Sequence, residues 1–242
     1  MTNFDIQLIS GSDINFNNVG TIVQPTIGFL NNFGYERYRM LVFPFLILNK
    51  EYLGQFTNVG NRSTFDLLFQ PFKLLDDNNE ITLLPFMFNS LQTFIKEDIE
   101  FDNVLNGFVI NKNKNNLIDK NNLDEFINVM LKVLYEKKVE PKQNIKMSDK
   151  KRRLLEKRNK FRKKHIDQEG NVLSKALFTV QYKNKYTQSE ILDLTVWQVC
   201  AMFETIQNED KFNKTFELAM NVGSNGAGSN LDMQHWINKI NI

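Results

Sequence analysis

Ser189-Glu190-Ile191-Leu192-Asp193-Leu194-Thr195-Val196-Trp197-Gln198 opens the segment whose reading decides the fold. With Asp193 or Thr195 as N-cap, apolar side chains recur at Val196, Val199, Cys200, Phe203 and Ile206, the i, i+3, i+4, i+7 spacing of one buried helix face. Asn208 and Asp210 interrupt that stripe. A second one, at Phe212, Phe216, Leu218, Ala219, Met220 and Val222, runs to Gly223, a residue suited to a left-handed C-terminal cap. The expectation is two packed helices. Beyond them, Gly223-Ser224-Asn225-Gly226-Ala227-Gly228-Ser229-Asn230 reads as a solvated connector into a short helix from Leu231 that carries Trp236 and Ile240. A phosphate-cradling loop is disfavoured, because a helix rather than a strand precedes the glycines and no Lys-Ser/Thr follows them.

Working back from this tail, the charge changes abruptly. Between Lys142 and Lys164 stand twelve basic residues against Asp149 and Glu156, a net of +10 in a chain whose formal charge is +2, which leaves −8 on the rest. Ser148 can cap a helix there, Asp149 and Arg153 sit at i, i+4, and Met147, Leu154 and Phe161 recur every seven residues as a narrow apolar stripe. The first reading is a solvated connecting helix between two acidic lobes. A docking surface for an acidic partner helix comes next, centred on Lys150, Lys151, Arg152, Arg153 and Arg158. Nucleic-acid binding ranks last, since phosphate attraction is available but the run holds one aromatic residue and no reader motif.

Residues 1–140 read as a lobe of their own. Phe4, Ile6 and Leu8, then Ile14 and Phe16, alternate across Gly11-Ser12 and suggest two short strands or an extended arm. From Pro25, Ile27, Leu30 and Phe33, then Tyr38, Leu41 and Val42, predict helices separated near Gly34. The nearly all-apolar run Met40 to Leu48 is too short to span a bilayer and reads as buried core. Phe65, Leu67, Leu68, Phe69, Phe72, Leu74 and Leu75 precede a turn at Asp76-Asp77-Asn78-Asn79, and Phe86, Phe88, Leu91, Phe94 and Ile95 follow helical spacing. Asn111 to Asp119 has the alternation of a calcium loop, yet Asn122 stands where a bidentate Glu is needed and the early positions are neutral. A polar turn into a helix from Asn122 or Asp124, with Phe126, Val129, Met130, Val133 and Leu134 inward, is the better account. The fold class is therefore mainly α, or α+β if the N-terminal alternation forms a hairpin: an N-terminal lobe (1–140), a basic connector helix (141–168) and a C-terminal helical lobe (169–242).

Composition excludes several functions. One Cys and two His cannot assemble a disulfide framework or a Cys/His zinc site, and Cys200 on the apolar stripe reads as a small core residue. The start Met1-Thr2-Asn3-Phe4-Asp5 lacks a basic and an apolar leader region, and no apolar run reaches the roughly 18 residues of a membrane span. His165 and His235 have no Ser, Cys or carboxylate at a motif spacing, so catalysis is not expected, nor any cofactor or metal.

One resemblance adds to these readings. Asp193-Leu194-Thr195-Val196-Trp197-Gln198, the spaced Phe203, the Phe212-Asn213 turn and the terminal His235-Trp236 resemble the C-terminal region of tail assembly chaperones of phages of Gram-positive bacteria. Val23-Gln24-Pro25-Thr26-Ile27 and Gly34-Tyr35-Glu36-Arg37-Tyr38 are similar to that family's opening motifs. The resemblance implies a non-enzyme that binds the tape-measure protein, or another tail protein, during tail assembly in the cytoplasm of the infected host. Trp197, Phe203 and Trp236 would join the basic cluster as partner-binding residues. Self-association, a place in the virion as a tail or neck subunit, and nucleic-acid binding through the basic helix are the alternatives, and no membrane is implied.

Overall fold

The computed structural model describes residues 2–16, 19–48, 63–73, 80–136 and 172–223. These fold as a mainly α protein with small antiparallel sheets. The chain divides into two compact units, residues 2–142 with 192–197, and residues 143–191 with 198–242.

In the first unit, α1 (Asn3–Ser10) replaces the first of the two expected strands, whereas the second, at Ile14 and Phe16, is present. The alternation of Phe4, Ile6 and Leu8 is overridden by end chemistry: the Asp5 amide donates to Thr2 Oγ1 and the Thr2 amide to Asp5 Oδ2, while Gly11 closes the helix at φ 70°. The hairpin follows instead, β1 (Ile14–Phe16) pairing with β2 (Gly20–Ile22). Backbone bonds from Val23 to Phe94 and from Lys96 to Thr21 bind the other edge of β2. Buried Gln24 donates from Nε2 to the carbonyls of Gln7 (2.8 Å) and Ser12 (2.7 Å), pinning the end of α1 to the chain before the next helix.

The predicted break near Gly34 is present, between α2 (Ile27–Phe33) and α3 (Tyr35–Leu48). Val42, Phe45 and Leu48 of α3 are fully buried. Two more helices, α4 (Thr64–Phe69) and α5 (Leu84–Phe94), flank a short pair of strands, β3 (Phe72–Lys73) and β4 (Glu80–Ile81). The turn expected at Asp76 to Asn79 lies outside the described residues. Ser90 of α5 donates to the Leu41 carbonyl of α3 at 2.7 Å, so the two helices meet with a buried hydroxyl satisfied.

A three-stranded antiparallel sheet, β5 (Ile99–Asp102), β6 (Gly107–Ile110) and β7 (Asn113–Ile118), was not foreseen. It corrects the polar-turn reading of Asn111 to Asp119. Only Asn111 and Lys112, with φ near +53° and +54°, form the turn, as a two-residue hairpin requires, and the polar run that follows is a strand with a mostly exposed start. Gly107 is obligatory for another reason: a Cβ there would stand 2.8 Å from the Ile118 carbonyl oxygen. Helix α6 (Leu123–Val133) begins after Asn122 as expected, with Phe126, Met130 and Val133 buried; Val129 is only half-buried, and Ile127 takes an inward place instead.

In the second unit, α7 (Val172–Asn184) buries Ala176 and Val180. A short α8 (Gln188–Asp193) takes up Asp193, so Thr195, not Asp193, precedes α9 (Val196–Gly223). The two expected C-terminal helices are one continuous helix. Asn and Asp cost only about 0.7 kcal/mol or less inside a helix, and Asp210 gains the Lys183 ammonium at 3.4 Å, so the interruption of the stripe does not interrupt the backbone.

Candidate functional site

Of the residues singled out for partner binding, Lys150, Lys151, Arg152, Arg153, Arg158 and Trp236 lie outside the described residues, together with the basic connector, His165 and His235. Trp197 and Phe203 are described. Phe203 is half-buried along the stripe of α9, with Val199 and Ile206 buried on either side. Trp197 is also half-buried, its ring 6.3 Å from that of Tyr135 in an edge-to-face arrangement. Cys200 is half-buried.

The structure joins two of the short motifs that carried the resemblance. The Ile27 amide donates to the Leu194 carbonyl (2.8 Å), the Val196 amide to the Pro25 carbonyl (2.9 Å), and Thr26 faces Thr195 across this antiparallel bridge. Thr26 also caps α2, accepting from the Phe29 amide at 3.1 Å. Gly28 permits the approach, since a Cβ would lie 3.1 Å from the Leu192 carbonyl oxygen. Pro25-Thr26-Ile27 and Leu194-Thr195-Val196 thus form one backbone clasp within the first unit.

Two surfaces escaped the sequence reading. On α7, Phe178 (74 % exposed) and Tyr182 (84 % exposed) lie one turn apart on the side opposite Ala176 and Val180. The signal was present, since apolar residues at Leu173, Ala176, Leu177 and Val180 complete the inward stripe and leave two aromatics over. Large exposed apolar groups in one place mark interaction sites more often than isolated ones do.

The second surface is a groove in the first unit with about 570 Å³ of open space. Its walls are Met40, Phe43 and Leu46 of α3 and Phe86 of α5, the Phe43 and Phe86 rings meeting edge to face at 6.1 Å. Arg39 lines it too and is ion-paired with Glu136. Burial works against the charged guanidinium, but the Glu136 carboxylate outweighs it by charge and hydrogen bond and holds the Arg39 pKa above its ordinary value.

The shifted carboxylates have structural work. Hydrogen bonds from Thr2 lower Asp5, amides of Leu105 and Val104 lower Asp102, and Thr187 lowers Glu190. Glu97 is raised by burial and lowered more by the Thr21 amide, for a net downward shift. Among the described residues no group of three or more His, Cys, Asp or Glu is placed to hold a metal ion, and no helix is long and apolar enough to cross a membrane. What the described surface offers is apolar area with charge at its margins, suited to another macromolecule's helix or loop.

Residues 167–241 match the family model described as YomV second domain. No curated protein and no solved structure matches the chain.

Proposed function

We propose that this is a phage-related protein that acts by binding rather than by catalysis, as a chaperone-like factor holding the helical tape-measure protein while a tail is assembled in the host cytoplasm. The observation that carries the reading is the exposed Phe178 and Tyr182 face of α7, which lies inside the segment matched by the YomV second domain. The resemblance of residues 193–198 and 23–27 to tail assembly chaperones of phages supports both the setting and the role. A client helix lays its own apolar stripe on such a face, so aromatic area on the holder gives affinity without sequence stringency.

Co-expression with the tape-measure protein of the same phage tests this. The expected result is a larger soluble fraction of that protein and a complex that survives purification, both reduced by the double substitution Phe178→Ser, Tyr182→Ser. Unchanged solubility with no recoverable complex would overturn it.

A further inference from the structure

Helix α3 is apolar on both sides. Tyr38, Val42 and Phe45 face the core, and Met40, Phe43 and Leu46, at helical spacing on the other side, line the groove, with Met40 58 % exposed. A helix apolar all round is ordinarily covered all round. The groove's size falls within the roughly 300–1,000 Å³ of ligand sites, but its open, apolar walls suit side chains of a helix better than an enclosed small molecule.

Charge at the margin says what kind of helix. Glu36 and Glu80 line the groove, and Arg39, the one cation among its described lining residues, is already taken by Glu136. Glu36 in the first turn of α3 has a second use, favouring the positive end of the helix dipole, but Glu80 belongs to β4 and has no such role. Carboxylates therefore border the apolar floor.

We propose that this groove is a docking site for an amphipathic helix of a partner protein that carries Lys or Arg beside its apolar stripe. Apolar residues at i, i+3 or i+4 and i+7 fill the space between Met40, Phe43 and Phe86, while a flanking cation meets Glu36 or Glu80. The site is separate from the α7 face and does not depend on the client being a tape-measure protein.

The test is fluorescence anisotropy with the full chain and two labelled synthetic helical peptides that share a Leu stripe, one flanked by Lys and Arg and its twin flanked by Glu. The basic peptide should bind at least ~10-fold more tightly than the acidic one, since like charges at an interface are strongly disfavoured. The double substitution Glu36→Lys, Glu80→Lys should reverse the preference, and Met40→Glu should weaken binding of the acidic peptide most. These side chains sit at the surface, and unchanged thermal unfolding of each variant confirms that the fold is intact. Equal binding of the two peptides, or indifference to all three substitutions, would overturn the proposal. So would binding that emerges only when Lys150, Lys151, Arg152 and Arg153 are replaced by Gln, because the occupant would then be the chain's own basic stretch. Failure here leaves the co-expression result standing, and the converse holds.

Discussion

In the unit formed by residues 2–142 and 192–197, Phe45, Phe94, Phe108 and Phe126 are exposed by 2 % or less, whereas in α7 and α9 Phe178, Tyr182 and Phe216 remain in solvent. Phe45 sits 6.2 Å from both Phe94 and Phe126, so its ring is held on two sides. Among the described residues, Phe216 stacks on Phe212, its neighbour one turn back. The same residue type thus has two uses here. An aromatic-rich composition does not by itself distinguish a large core from a sticky surface, and the distinction rests on what the opposite face of each helix does.

Substitutions in the two places should separate these uses. Phe45→Ala should be the most damaging, costing about 3–5 kcal/mol, because the surrounding rings cannot close over the space; urea unfolding would show it as a lowered midpoint. A loss under ~1 kcal/mol would mean that this core is loosely packed, and the contrast would fail. Gly107→Ala should cost about 1–3 kcal/mol in the same assay, since the added methyl meets the Ile118 carbonyl and a Leu117 methyl and must push β6 from β7.

Acid gives a smaller and differently distributed effect. Asp5, Glu97, Asp102 and Glu190 all have native pKa values below their ordinary ones. Their contribution is fully present above the unfolded values of 3.8 for Asp and 4.5 for Glu, and disappears as pH falls through the lower native values. Hydrogen exchange followed downward from pH 5 should therefore report loosening of α1, β2, the β5–β6 turn and the start of α8 before the Phe45 region responds. Asp5→Asn should remove part of this dependence at α1 alone. The least change in stability is expected for Phe178→Ser and Tyr182→Ser, each within about 0.5 kcal/mol of the parent, because a surface group loses little on truncation. A large loss would show that these aromatics belong to packing, and the binding role given to them would lose its support.

Periodicity made the helices legible. The stripes at Leu30, at Leu91 and Phe94, and at Phe126 and Met130 each lie on a helix with those residues buried. What periodicity missed, local hydrogen bonding decided. Thr2 and Asp5 turned an alternating stretch into α1, and two residues at positive φ turned an apparent loop into the hairpin of β6 and β7. β7 was hard to see because Asn113 to Asn116 offer no apolar alternation, and its strand state comes from pairing with the fully buried β6. The continuity of α9 was hidden for the opposite reason, since a change of polarity along one face says nothing about the backbone beneath it. Of the partner-binding candidates, Phe203 is half-buried on the α9 stripe, and Trp197, which is not on that stripe, is half-buried beside Tyr135. Phe178, Tyr182 and the groove were not legible from a single stripe, because each requires knowing that the other side of its helix is already buried.

The clasp between Pro25-Thr26-Ile27 and Leu194-Thr195-Val196 has a temporal consequence. Thr26 and Thr195 are 169 residues apart, the difference of their numbers, so the bridge joins one segment to another made much later. At about 5–20 residues per second, a ribosome delivers that segment roughly 10–30 s after the first partner has emerged. Until then the backbone groups of Pro25 and Ile27 await their long-range mates, and the N-terminal unit is complete only when translation has passed Trp197. Closing so long a loop adds little entropy beyond that of a loop half its length, on the order of 0.6 kcal/mol, so the delay is set by synthesis rather than by the thermodynamics of closure.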